Sequence, residues 1–129
     1  MTARAKGWLL ALSVSLALWS IIFSAGSAFA AELCADVIKP PVQFAIFKSP
    51  PKTVTVRYAN DAQMIAACGG LLKGNTGKVL CGCFRGSPAL FGEILINANA
   101  SPIGQSRTLV HETAHAWGWS GNHSGGGGW

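Results

Sequence analysis

The chain has 129 residues, ten Lys and Arg against five Asp and Glu, and four cysteines. That length holds one domain at most. The basic residues are scattered, with no run and no aromatic interleaving, which argues against a nucleic-acid partner.

Residues 1–30 read as a signal peptide. Arg4 and Lys6 supply the positive start, residues 8–23 form an apolar run broken only by serines, and Ala28-Phe29-Ala30 is an A-x-A cleavage site that puts the cut before Ala31. The run is short for a bilayer, so no stable membrane span is expected once the leader is removed. The mature chain keeps eight Lys and Arg and all five acids, a net charge of about +3. Export, to a bacterial periplasm or to the medium, permits disulfides, and Cys34, Cys68, Cys81 and Cys83 are an even set. A Cys81–Cys83 bond closes too tight a ring, so Cys68 is expected to join one of that pair and Cys34 the other. The competing use of Cys81-Gly82-Cys83 is a thiolate zinc site.

Residues 31–52 form a lead-in punctuated by Pro40-Pro41 and Pro50-Pro51, expected as extended chain or an edge strand. The main domain is expected over 53–123. Residues 53–58 alternate, with Val54, Val56 and Tyr58 on one side, which predicts a half-buried strand. Asn60 or Asp61 can cap a short helix that runs through Met64 to Cys68 and stops at Gly69-Gly70. A turn follows at 73–77, then a strand at 79–84, a turn at Gly86-Ser87-Pro88 and a strand at 93–97. Ser101-Pro102 and Ser106 are alternative starts for a helix reaching about Trp117, with Leu109, Val110, Ala114 and Trp117 on its apolar face. Residues 124–129 are a glycine-rich tail ending in Trp129, either flexible or packed back over the helix end.

That last helix carries His111-Glu112-Thr113-Ala114-His115. Residues four apart share a helix face, so His111 and His115 aim two imidazoles at one point. Neutral imidazole is a good zinc ligand. Glu112 lies about 100° round the helix, placed to reach a water at the metal without ligating it. Gly118 can end the helix with a positive φ and turn the chain back, bringing His123 in as a third ligand. The chain has three histidines, and all lie in this segment.

With this motif the chain resembles the zincins, zinc metallopeptidases with H-E-x-x-H on the active-site helix, and more narrowly small exported bacterial zincin-like proteins with H-E-x-x-H-x-x-G-W and a final His. The resemblance implies an α+β fold, a minimal zincin-like domain with a short, mostly antiparallel sheet packed on the motif helix and stapled by disulfides. It implies His111, His115 and His123 as ligands of Zn2+, Glu112 as catalytic base and Gly118 as the helix-ending residue. Two departures separate the chain from the large clans. Metzincins place the third His where Gly121 stands, and gluzincins use a downstream Glu, whereas no acidic residue follows Glu112.

The expected chemistry is hydrolysis of a peptide, protein or cell-wall peptide substrate, with a fourth metal position left open for water. The alternative is an exported zinc-binding module without turnover, serving interaction or metal handling. Weaker candidates are Tyr58 as an oxyanion donor, Arg85 and Arg107 for a substrate carboxylate, and the 93–97 strand, bounded by Glu93 and Asn97, as an edge that pairs with extended peptide. Trp117 and Trp119 are candidates to wall the site.

Overall fold

The computed structural model describes residues 33–69 and 79–129. The signal peptide, its cleavage site and the turn at 73–77 lie outside the described residues. The elements run α1 (Val42–Ala45), β1 (Val54–Ala59), α2 (Asp61–Cys68), β2 (Gly82–Ser87), β3 (Phe91–Asn97) and α3 (Pro102–Ala116). No helix among the described residues is long and apolar enough to cross a membrane.

The three strands form one sheet in the order β1-β3-β2. β3 pairs antiparallel with β2 and parallel with β1. The sheet is therefore mixed, where a mostly antiparallel one was expected. The parallel pair arises because the chain leaves β1 through α2 and returns to the centre only after β2 has been laid down. β3 is covered on both sides, and Ile94, Leu95, Ile96 and Asn97 are all buried. A strand covered on both faces carries a continuous run and not an alternating one.

Alternation along the strands divides the core in two. Val54, Ile94 and Ile96 face α3, with Ala116, Phe84 and Leu109 closing around them. Ala59, Cys83 and Leu95 face the other way, against Met64 and Cys68 of α2. β1 does alternate, but only its ends are buried. Val56 and Tyr58 share the side of Ile94 and Ile96 yet lie exposed at the sheet edge, so the half-buried pattern is only partly realised.

Local signals account for the helices. Asn60 caps α2 in a reciprocal capping box with Gln63. Ser101 caps α3, its Oγ accepting from the Gly104 N–H at 2.9 Å, and Pro102 occupies the first turn. The lead-in differs from its expectation: residues 42–45 form a single helical turn after Pro41. Proline suits a helix start, where its missing N–H is not needed, so it does not require extended chain here. β2 lies three residues later than expected, because Gly86 and Ser87 belong to the ladder, opposite Gly92 and Phe91, and the turn begins at Pro88.

Two disulfides are present, Cys34–Cys81 and Cys68–Cys83. They follow the expected pairing and leave no free thiol among the described residues for a thiolate metal site. Cys68–Cys83 staples α2 to the sheet, and Cys34–Cys81 ties the lead-in to the start of β2.

Candidate metal centre

α3 has an unusual buried side for a helix on a small sheet. Thr108, His111, Glu112 and Thr113 are all buried, whereas Leu109 and Val110 are only partly so. Charged and polar side chains are rarely fully buried without a partner, so this face is set up for something besides packing. Trp117, expected on the apolar face, stacks instead on Phe47 with ring centroids 4.5 Å apart and donates to the Ser49 carbonyl.

The helix ends in a Schellman motif. Trp119 N–H donates to the Ala114 carbonyl at 2.9 Å and Gly118 N–H to that of His115 at 3.0 Å, with Gly118 at φ +112°. This turn sends the chain back along the helix end and carries His123 to His111 and His115. His123 itself sits at φ +59°, in the left-handed region. Such a conformation in a non-glycine residue persists only when its surroundings enforce it, and it concentrates at functional sites.

The ligand-capable atoms of His111, His115 and His123 lie within 4.8 Å of one another. Nε2 of His115 is 3.1 Å from Nε2 of His111 and 3.1 Å from Nε2 of His123. The second nitrogen of each helical ring fixes its tautomer. His111 Nδ1 meets the Ile38 carbonyl at 2.6 Å and His115 Nδ1 meets the Trp119 carbonyl at 2.8 Å. A carbonyl can only accept, so both Nδ1 atoms carry the proton and both Nε2 atoms present lone pairs. The 3.1 Å contact between His111 and His115 is thus lone pair against lone pair, which is repulsive unless a cation lies between them. Two ligands at 2.0–2.1 Å from a tetrahedral zinc stand about 3.3 Å apart. The donor set fits a divalent metal ion on both counts, and three imidazoles suit zinc among the common choices.

Burial keeps the rings neutral. It is the main cause lowering the His111 pKa to about 4, opposed by the bond to Ile38, and it lowers those of His115 and His123 as well. Glu112 stands 4.0 Å from His111 Nε2. Burial pushes its carboxyl up to about 8, against the pull of the Phe84 backbone N–H. Both partners are driven towards their neutral forms, so the close approach is not an ion pair in the metal-free protein.

A cleft of about 390 Å³ opens over these groups. β2 supplies one wall through Gly82, Phe84 and Gly86, and Trp119 and Gly121 another. Gly82 is required by close approach: a Cβ there would stand 2.5 Å from Thr108 Cγ2 and 3.2 Å from Glu112 Cγ. β2 is an edge of the described sheet and β3 is its centre, so the strand beside the site is not the expected 93–97.

The other candidates fall elsewhere. Tyr58 lies on β1, across β3 from the strand that lines the cleft, and is exposed. Glu93 pairs with Arg57 at 2.8 Å. Arg85 is exposed on β2 and does not line the cleft. Asn97 is buried as a corner brace, donating to Asp61 at 2.7 Å and to the Leu80 carbonyl at 2.9 Å. Arg107 donates to the Ala35 carbonyl at 2.7 Å. Trp119 does wall the site, with its ring stacked on His115 at 4.8 Å. The sequence reading missed Ile38 and the β2 glycines. Gly82, between two cysteines, is the one that close packing on a helix could have suggested; Ile38 acts through a carbonyl and leaves no side-chain signal.

No family model, curated protein or solved structure matches this chain.

Proposed function

We propose that the protein is an exported zinc-dependent peptidase of zincin-like type, cleaving peptide or amide bonds in a protein or cell-wall peptide. The observation that carries this reading is the convergence of three imidazoles, two of them (His111 and His115) with tautomers set for ligation, beside a buried carboxyl that is not itself among the ligand atoms. A bound zinc ion supplies Lewis acidity, polarising a carbonyl oxygen and making water more acidic.

The chain's own groups do the rest. His111, His115 and His123 hold the ion. Glu112 takes the proton of the attacking water and passes it to the leaving nitrogen, so one C–O bond forms as the C–N bond breaks. It must be ionised to do so, and a cation held by the neighbouring neutral imidazoles would favour its carboxylate form. The β2 edge and Trp119 flank the space in which a substrate backbone would lie. Export is supported by the leader pattern and is compatible with the two disulfides.

The test is turnover of peptides and cell-wall fragments by the oxidised, zinc-loaded protein. Glu112→Gln is expected to keep the metal and lose activity by about 10²–10⁴-fold. Zinc bound at one per chain with no Glu112-dependent turnover would leave a metal-handling module in place of the peptidase.

A further inference from the structure

We propose that residues 124–129 are a positioning strap for the metal cluster, and that Trp129 orients His111 through the backbone of residues 37–39. The inference rests on the metal-binding half of the reading above. It does not require turnover.

The Nδ1–H of His111 is held by the Ile38 carbonyl. Ile38 lies in a stretch without helix or strand, 73 residues away in sequence, so something must fix that carbonyl in space. The tail does. Lys39 N–H donates to the Gly127 carbonyl at 2.8 Å and Gly127 N–H returns the bond at 3.0 Å. The Trp129 indole N–H donates to the Val37 carbonyl at 2.6 Å. These three bonds bracket Ile38 on both sides. The Trp129 ring in turn lies against Arg107 of α3, whose guanidinium is 5.1 Å from the ring centroid, and Lys39, whose ammonium is 5.8 Å away. Arg107 also donates to the Ala35 carbonyl, so helix, lead-in and tail are tied at one place.

The near end of the same segment supports the other two histidines. Trp119, whose carbonyl orients His115, donates its indole N–H to the Ser124 carbonyl at 2.9 Å. Gly126 N–H donates to the His123 carbonyl at 3.1 Å. Gly126 passes so close that a Cβ on it would stand 2.6 Å from Ile38 Cγ2 and 2.9 Å from Trp119 Cζ2. Four residues of the segment, Ser124, Gly126, Gly127 and Trp129, thus touch the groups that support the three imidazoles. Groups that orient metal-binding imidazoles through their second nitrogen fix ring and tautomer, and losing one typically costs about 10–100-fold in metal affinity. Trp129 itself is 42% exposed and sits outside both core clusters. Its loss therefore acts on the site and little on the fold.

The experiment uses the oxidised protein and three variants, Trp129→Ala, Trp129→Phe and Gly126→Ala. Zinc affinity is measured by chelator competition, metal-free thermal melting is recorded beside it, and the His111 tautomer is read from its ring nitrogen shifts by NMR. Trp129→Ala is expected to weaken zinc by about 10–100-fold. It should also turn a pure Nδ1–H His111 into a tautomer mixture, with the metal-free melting point close to wild type. Trp129→Phe keeps the ring and loses the donor, so it should fall between the two. Gly126→Ala disturbs the strap without removing a donor and should weaken zinc as well, which keeps the test open if Trp129→Ala folds poorly. Unchanged affinity and tautomer in Trp129→Ala and Gly126→Ala would overturn the strap while leaving the metal centre standing. A wild type that binds no zinc would overturn the metal centre and the strap's role in it together. Affinity lost only in step with metal-free stability would make Trp129 a folding residue and overturn the proposal.

Discussion

The two sides of the sheet are built to different ends. Against α2 the sheet packs Ala59, Met64, Cys68, Cys83 and Leu95, all apolar or disulfide-bonded and all buried. Against α3 the apolar cluster of Val54, Ile94, Ile96 and Ala116 gives way along the helix to Thr108, His111, Glu112 and Thr113, buried without being apolar. Even the Thr108 hydroxyl has no hydrogen-bond partner among the described residues. Burying polar groups costs stability unless they are fully satisfied, so the α3 side gives up stability and the α2 side supplies it. A fold of about a hundred residues has little to spare, which makes the division testable.

The largest effect expected is on the α2 side. Met64 is fully buried between α2 and the sheet. Met64→Ala removes its side chain and leaves a cavity, at a cost of about 2–5 kcal/mol. Urea unfolding of the metal-free protein should show that loss, while zinc affinity of the folded fraction stays near wild type. A large fall in affinity alongside the stability loss would show that the two sides are not separable.

The next effect isolates the cost of the α3 side through pH. Burial pushes the folded carboxyl of Glu112 up to about 8, well above the ordinary 4.5 of a free glutamate. The folded state therefore holds a proton that the unfolded state has released, and stability falls as pH rises from about 4.5 to 8. His111 works in the opposite sense: its pKa is lowered from 6.5 to about 4, so the unfolded state binds the extra proton and stability rises across that lower window. Glu112→Gln removes the first effect and keeps the second. In chelator, its stability advantage over wild type should grow as pH rises from about 4.5 to 8 and level off above. A constant difference across that range would mean that Glu112 is not held in its protonated form.

How much of this could be read from the sequence follows the range of each signal. Asn60, Ser101-Pro102 and Gly118 act within one helical turn of themselves, and the caps and the Schellman turn stand where those residues put them. That Cys81 and Cys83 bond outward and not to each other followed from the single residue between them, whereas which of them takes Cys34 and which Cys68 did not. The three histidines were legible because residue type and spacing carry the chemistry. What depends on distant partners was not. Nothing local in 54–59 states that the strand pairs in parallel with 92–97, or that Val56 and Tyr58 fall beyond the edge of α3. The helical turn at 42–45 is too short to show a period. The Ile38 carbonyl acts on His111 from 73 positions away through an atom every residue possesses. The three clustered histidines were visible in the sequence, and the groups that orient them were not.

The smallest stability effect sharpens the comparison most, because it sets the fold against the site at a single residue. His123 holds φ +59°, which costs an L-residue roughly 1–2 kcal/mol and a glycine almost nothing. Its ring is partly exposed and sits outside both core clusters. His123→Gly relieves the backbone but adds unfolded-state entropy of about 0.4–1 kcal/mol, so its metal-free stability should stay within about 1 kcal/mol of wild type. His123→Ala keeps the unfavourable conformation and should be the less stable of the two by about 1 kcal/mol. Both remove the imidazole, and both should lose zinc binding. Equal stability of the two variants would show that the chain relaxes out of the left-handed region once the ring is gone. Zinc held as tightly by His123→Gly as by wild type would reduce the centre to two histidines and remove the reason for holding residue 123 in that conformation.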